Sequence, residues 1–326
     1  MAIVDLTNRI SAEREPRHTD LTTDEFRLFS EAPGQIRKRF VARSESGNPV
    51  ASLSTNYADD RSNPRLLRVS LSVAPDHRRR GIGSQLLAKA AEIARDLERS
   101  TLTGEVFDTV QAGNAFLAAI GGRRTLEHHL NSLKIAELDS DLLREWVEQG
   151  PRKAPGYSVR LIDGNFPDDL LEGMAHLYLV LERDMPTPEE KEPREWTPRL
   201  VLEFMEHFLQ GTEALTAVAI TNETGEAAGM SQLIRRKADP TTWQVTTTMV
   251  DPEHRGHSLG KWIKGAVNLE ALAKWPGAKY QETGNASTNE AMLRINHAMG
   301  FEHELTQAEV VVEVERVEEY LASRKD

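Results

Sequence analysis

The chain has 326 residues, 39% of them hydrophobic and 28% charged, a globular composition long enough for two domains with full cores. Its 40 basic against 51 acidic side chains leave a formal charge of −11, which argues against nucleic acid or an anionic membrane surface as a partner. Cysteine is absent, excluding a disulfide framework, a thiolate metal site and a cysteine nucleophile. No uncharged apolar run approaches ~18 residues, and Asp5 stands too early for an export signal, so a soluble cytoplasmic protein is expected.

Residues 1–25 are polar and charged and are expected to fray. Arg37 to Ser44 and Val50 to Asn56 read as strands of a hairpin around Glu45-Ser46-Gly47-Asn48-Pro49. After a loop from Asp59 to Asn63, Leu67, Val69, Leu71 and Val73 alternate as in a strand. A helix then carries Leu86, Ala90, Ile93, Ala94 and Leu97 on one face. Leu102 to Phe107 reads as a strand, Val110 to Ile120 as a helix stopped by Gly121-Gly122, and Leu126 to Leu138 as closing strand. Leu142 to Glu148 reads as a short helix. Two Pro and two Gly in Gly150 to Gly156 place a domain boundary there, giving domains 1–149 and 157–326 around a linker 150–156.

The second domain opens with a strand, Tyr157 to Ile162, and a helix, Asp168 to Glu182. Met185 to Trp196, with three prolines and a cluster of Glu, reads as a long exposed loop. Leu200 to Leu209 reads as helix, and Ala214 to Thr221, Ala227 to Arg236 and Trp243 to Val250 as strands. A helix from Leu259 to Lys274, a strand from Ala278 to Thr283 and a helix from Asn289 to Met299 follow. Glu309 to Val314 suits a last strand; three consecutive valines make it apolar on both faces, as in a covered sheet. Val317 to Arg324 reads as a terminal helix.

Two stretches repeat. Ala74-Pro75-Asp76-His77-Arg78-Arg79-Arg80-Gly81-Ile82-Gly83 aligns without a gap to Asp251-Pro252-Glu253-His254-Arg255-Gly256-His257-Ser258-Leu259-Gly260. Each follows a strand and opens a helix. Such a turn aims free backbone N–H groups and the positive end of a helix dipole at an anion, with Arg adding charge, and a pyrophosphate suits it. His254 and His257 have metal-like spacing, but lie in a turn beside Arg with no Cys, so no metal is expected.

Arg78 to Gly83 resembles the R/Q-x-x-G-x-G/A pyrophosphate loop of the GNAT acetyltransferase superfamily, and Arg255 to Gly260 resembles it with Ser258 in place of its first Gly. Thr283-Gly284-Asn285 through Asn289, Met292, Asn296, Gly300 and Phe301 is similar to the second half of a GNAT domain. The whole resembles a tandem GNAT protein, an arrangement shared with mycothiol synthases and many actinobacterial acetyltransferases. The resemblance implies an α/β fold of two tandem domains, each with a mixed, bent central sheet flanked by helices. It implies acetyl-CoA as co-substrate. The backbones of Leu71, Ser72 and Val73, and of Thr248, Met249 and Val250, would pair with the pantetheine arm and offer the oxyanion N–H. The loop groups from Arg78, Arg79, Arg80, Gly81 and Gly83 to Ser84, and from Arg255, Gly256, His257, Ser258, Leu259 and Gly260, would hold the pyrophosphate. Asn285 and Asn289 would assist; Asn289 serves equally as a plain helix cap.

Acetyl transfer from a thioester to an amine requires the amine to lose its proton, since an ammonium of pKa ~10 has no lone pair. A backbone N–H stabilises the oxyanion, and an acid protonates the leaving thiolate. Many GNAT enzymes place a Tyr acid four residues before the Gly of Gly-Phe; here Asn296 and Leu117 stand there. Ser258 is expected to be tolerated if its backbone is helical. Glu282 is either a general base at a strand end or a surface carboxylate. Glu189, Glu190 and Glu192 form either a solvated loop or an attractor for a cationic amine.

These readings converge on acetyl-CoA-dependent N-acetylation of a small primary amine, by a monomer or homodimer, with turnover in the second copy through Glu282 and Asn296. The alternatives are a non-catalytic acyl-CoA-binding protein and an acetyltransferase of protein N-termini or lysines.

Overall fold

A computed structural model describes residues 2–31, 35–58, 63–184 and 194–324. The stretch expected to fray holds two helices, α1 (Ile3–Arg14) and α2 (Thr23–Ser30). Val4 and Leu6 of α1 are buried, but so are Asn8 and Ser11, so its apolar stripe is too short to read as periodicity. Asn8 clips the segment before α2 with both ends of its amide. Its Nδ2 donates to Leu21 O at 3.0 Å and its Oδ1 accepts from Leu21 N–H at 2.9 Å. Thr22 and Glu25 then form a reciprocal capping box.

β1 (Gln35–Arg43), β2 (Pro49–Ala58) and β3 (Leu66–Val73) run antiparallel in succession. α3 (Ile82–Asp96) crosses over to β4 (Thr101–Phe107), parallel to β3. α4 (Gln111–Ala119) and β5 (Arg123–Lys134) follow. α5 (Ser140–Lys153) is longer than expected and runs into the stretch read as a break. Asp139 caps it, Pro151 sits in its last turn where it forfeits one backbone bond, and Ala154 N–H closes the turn on Gly150 O at 2.9 Å. Gly150 is there for space, because a side chain at that position would collide with the ring of Trp262.

Next come β6 (Tyr157–Asp163), α6 (Leu171–Asp184) and α7 (Pro198–Phe208). Of the loop expected from Met185 to Trp196, residues 185–193 lie outside the described residues, as do 59–62 of the earlier loop. β7 (Thr212–Thr221), β8 (Ala227–Arg236) and β9 (Asp239–Val250) are antiparallel neighbours. α8 (Leu259–Lys274) leads to β10 (Tyr280–Ala286), parallel to β9. α9 (Glu290–Ala298), β11 (Glu302–Glu313) and α10 (Val314–Ala322) complete the chain.

By contacts, Met1–His129 and Leu305–Asp326 form one unit, and Leu130–Pro186 and Pro193–Glu304 the other. The first has the strand order β1-β2-β3-β4-β11-β5, with the part of β5 up to His129. The second has the order β5-β10-β9-β8-β7-β6, with β5 from Leu130. Each is a mixed sheet with helices packed on it. In the first unit β11 lies antiparallel to β4, from Gln307 opposite Phe107 to Glu313 opposite Thr101. Val310, Val311 and Val312 are all buried, as a two-sided apolar strand requires. Val312, Val314 and Val317 join the core formed by Leu53, Leu67, Leu87 and Leu102. The last segment of the chain therefore completes the unit built by the first.

No helix among the described residues is long and apolar enough to cross a membrane.

Candidate acyl-transfer site

The repeated loops fold alike to the level of single hydrogen bonds. Each begins as one turn of 3-10 helix, Pro75–His77 and Pro252–His254. His77 N–H bonds Ala74 O at 2.9 Å and His254 N–H bonds Asp251 O at 2.9 Å. The Arg78 Nε donates to Val73 O at 3.0 Å, and the Arg255 Nε to Val250 O at 3.1 Å. Each guanidinium also pairs with a carboxylate from an earlier helix of its unit, Glu13 on α1 or Asp184 on α6. These two arginines thus staple loop to strand and helix; they shape the anion site more than they line it. Arg80 turns its Nη2 back on Asp76 O at 2.9 Å, and Arg79 and Arg80 are exposed.

Two residues in each loop are left-handed: Arg79 (φ 60°) and Gly81 (φ 80°), then Gly256 (φ 87°) and Ser258 (φ 62°). Alternation of handedness turns successive N–H groups to one concave side. Helical backbone was the condition set for tolerating Ser258, and the residue is instead left-handed at the N-cap of α8. It fits because the place is open: a Cβ on Gly81, its counterpart, would meet nothing within 4 Å. The first intrahelical bonds are Gln85 N–H to Gly81 O and Trp262 N–H to Ser258 O, so the N–H groups of Ile82, Gly83 and Ser84, and of Leu259, Gly260 and Lys261, are those a helix start leaves to an anion. Gly83 lies against Phe116 and Val73, and Gly260 against Ile295 and Val250. The Ser84 hydroxyl is 3.4 Å from the Tyr320 hydroxyl.

Beyond the loops the parallel strands part. The β3–β4 register ends at Arg68 opposite Thr103, and the β9–β10 register at Val245 opposite Thr283. Leu71 and Val73, and Met249 and Val250, lie past these points, with side chains in or against the cores. The two strands differ in one respect. β9 bulges at Thr246, where its register on β8 slips between Gln232 and Leu233. β3 pairs with β2 without a slip. The bulge is held by polar side chains: Thr246 Oγ1 donates to Gln232 Oε1 at 3.0 Å, and Gln232 Nε2 donates to Thr216 Oγ1 at 3.0 Å.

Around the second loop, His257 Nδ1 is 3.2 Å from His254 O, and His254 Nδ1 shares a hydrogen bond of 3.0 Å with the Tyr157 hydroxyl. No group of three His, Asp or Glu among the described residues is placed to hold a metal. Burial pushes the Asp251 carboxyl up, but the Glu253 N–H and His176 at 2.6 Å outweigh it and hold it below the usual range. The Glu282 carboxylate accepts from Gln244 across the strands at 3.2 Å. Asn289 caps α9, its Oδ1 accepting from Met292 N–H at 3.1 Å.

Asn296 is 2% exposed and its amide is engaged at both ends. Its Oδ1 accepts from Lys264 Nζ at 2.5 Å, and its Nδ2 donates to Asn285 Oδ1 at 2.5 Å. The sequence reading missed Lys264. This lysine of α8 is fully buried, with the Met292 sulfur at 3.8 Å and the Phe301 ring centre at 5.7 Å, and burial pushes its ammonium down to about 7. A signal was available: carrying the loop alignment one turn past Gly83 and Gly260 sets Lys264 opposite Leu87.

A strand, a pyrophosphate-shaped turn and a helix, twice over, each on a mixed sheet, are the parts of a tandem GNAT fold. Residues 3–121 match the family described as the Acetyltransferase (GNAT) family, and the chain has the fold of a tandem GNAT protein over 96% of its length. It is similar to a tandem GNAT protein from the clavulanic acid biosynthesis pathway, with 26% identity, TM-score 0.77, and 96% and 94% of the two chains covered. A GCN5-related N-acetyltransferase from Sphaerobacter thermophilus shares the fold at 14% identity and TM-score 0.65, with 96% and 91% covered. So does a glucosamine N-acetyltransferase region of a fungal multi-domain β-N-acetylglucosaminidase, at 16% identity and TM-score 0.65, over 95% of this chain and 36% of that one. No curated protein sequence matches the chain.

Proposed function

We propose that the protein is an acetyl-CoA-dependent N-acetyltransferase of a small primary amine, such as an amino sugar, an antibiotic or a related metabolite, acting in the cytoplasm. Turnover is assigned to the second of two duplicated stretches of the chain, 157–326, with 1–149 as its sister. The observation that carries this reading is the bulged, parted β9 above a left-handed loop. Parting leaves backbone groups of Thr248, Met249 and Val250 for a pantetheine arm, and the loop N–H groups face a pyrophosphate. Bulges re-aim strand groups beside active sites, and only the second copy has one here. The likeness to a tandem GNAT protein from the clavulanic acid biosynthesis pathway supports a small metabolite as acceptor. Glu282 is assigned as the base that takes the ammonium proton.

A second reading has an observation of its own. Both positions where many family members carry a phenolic acid are filled by buried groups, Asn296 and Leu117, which favours a non-catalytic acyl-CoA-binding protein. Calorimetry with acetyl-CoA followed by thiol release over a panel of amines separates the readings. Binding with turnover supports the enzyme, binding without turnover the sensor, and no binding removes both.

A further inference from the structure

Lys264, Asn296 and Asn285 form a hydrogen-bonded chain from the buried side of α8 through α9 to the parted end of β10. The duplication supplies an internal control. Once the extra residue of the β9 bulge is allowed for, the strand registers set Asn285 opposite Val106; the loop alignment sets Lys264 opposite Leu87, and Asn296 stands opposite Leu117. Leu87 and Leu117 are buried as Lys264 and Asn296 are. The fold therefore packs with Leu, Leu and Val at these places, and a polar chain there is not a requirement of the architecture.

We propose that Lys264 is a positioning residue that fixes the amide orientation of Asn285, so that Asn285 presents its NH2 to an acyl-CoA carbonyl at the mouth between β9 and β10. An ammonium donates and cannot accept. Asn296 must then face it with Oδ1 and turn Nδ2 to Asn285. Asn285 must receive that N–H with its own Oδ1, which leaves its Nδ2 pointing out of the chain. Asn285 is half-buried, and among the described residues its Nδ2 has no protein partner. Reversing either amide would set donor against donor at the buried Asn296 side chain. Lys264 thus acts through two amides on a group at the mouth and does not touch the ligand.

The inference rests on acyl-CoA occupying the second copy, and the test separates the two. Wild type, Lys264→Met, Asn285→Ala and the double variant are titrated with acetyl-CoA by calorimetry at pH 6.5. The proteins carry 15N-asparagine, and the Asn296 and Asn285 side-chain signals are assigned from their Leu and Ala variants. Methionine fills an apolar site much as Leu87 does in the first copy, so Lys264→Met folds. Expected are a shift of the Asn285 NH2 signal on binding and the loss of the slowly exchanging Asn296 NH2 signal in Lys264→Met. Each single variant weakens binding about tenfold, and the double variant is no weaker than Asn285→Ala alone. Additive losses, or an unmoved Asn285 signal while loop signals shift, overturn the proposal. If wild type binds no acetyl-CoA, the functional reading fails. The asparagine signals still judge the orientation, which an unchanged Asn296 signal in Lys264→Met overturns.

Discussion

The two copies share a loop and differ beneath it. The loops match in turn, strand carbonyl, arginine staple and left-handed pair. Below, the first copy is regular and apolar: an unbulged β3, with Leu87, Leu117 and Val106 where the second has Lys264, Asn296 and Asn285. The second has a bulged β9 and that buried polar chain. A duplicated fold therefore shows which features hold an anion and which are added. The loop recurs because backbone geometry builds it; the polar chain does not, because a fully buried lysine weakens the fold that carries it.

The largest effect should come from what the first unit borrows. Deleting residues 305–326 removes α10 and all of β11 but residues 302–304, and with them Val312, Val314 and Val317 from its core. At roughly 1.5–3 kcal/mol for each such side chain, before the β4 ladder is counted, the first unit should lose its cooperative unfolding transition in calorimetry.

A tryptophan at the phosphate turn comes next. Gly260→Trp fills the space against Ile295 and Val250 and should abolish turnover, whereas Gly83→Trp, against Phe116 and Val73, should leave most of it. The reverse result would move the active site to the first copy.

Converting the second copy to the first, by Lys264→Leu with Asn296→Leu, should lower turnover about 10- to 100-fold and raise stability. Burial pushes the folded lysine down to about 7 from its ordinary 10.5, so the unfolded chain holds more protons between those pH values. Wild-type stability then rises with pH across that window. The variant's advantage should amount to several kcal/mol at and below pH 7 and fade toward pH 10.5, which denaturant melts at pH 6.5 and 9.5 will show.

The smallest effect tests the loops alone. Ser258→Gly relieves a left-handed Cβ and should stabilise by about 0.5–1 kcal/mol, and Gly81→Ser should cost a similar amount. A much larger cost for Gly81→Ser would show that the first loop is crowded where the second is open.

Most elements could be read from hydrophobic period and turn residues. α8 and its loop were placed to the residue, and the valines at 310–312 marked a covered strand, because period and punctuation are local. α1 was hidden, since half of its buried face is polar and its partner, Leu21, lies beyond the helix. α5 ran on past Gly150 and Pro151, and Gly150, which reads as a break, instead makes room for the ring of Trp262, far along the chain.

The anion loops follow from the chain alone: glycine, arginine and a helix start act over ten residues, and any fold that keeps the strand and helix keeps the turn. What only the tertiary structure decided is where β11 pairs and what Lys264 meets. A valine run states that a strand is covered, not by which neighbour, since ladder bonds are the same for every partner. A lysine in a helix is ordinarily solvated, and its burial beside Asn296 depends on α9 closing over α8, an arrangement written in no local stretch of residues.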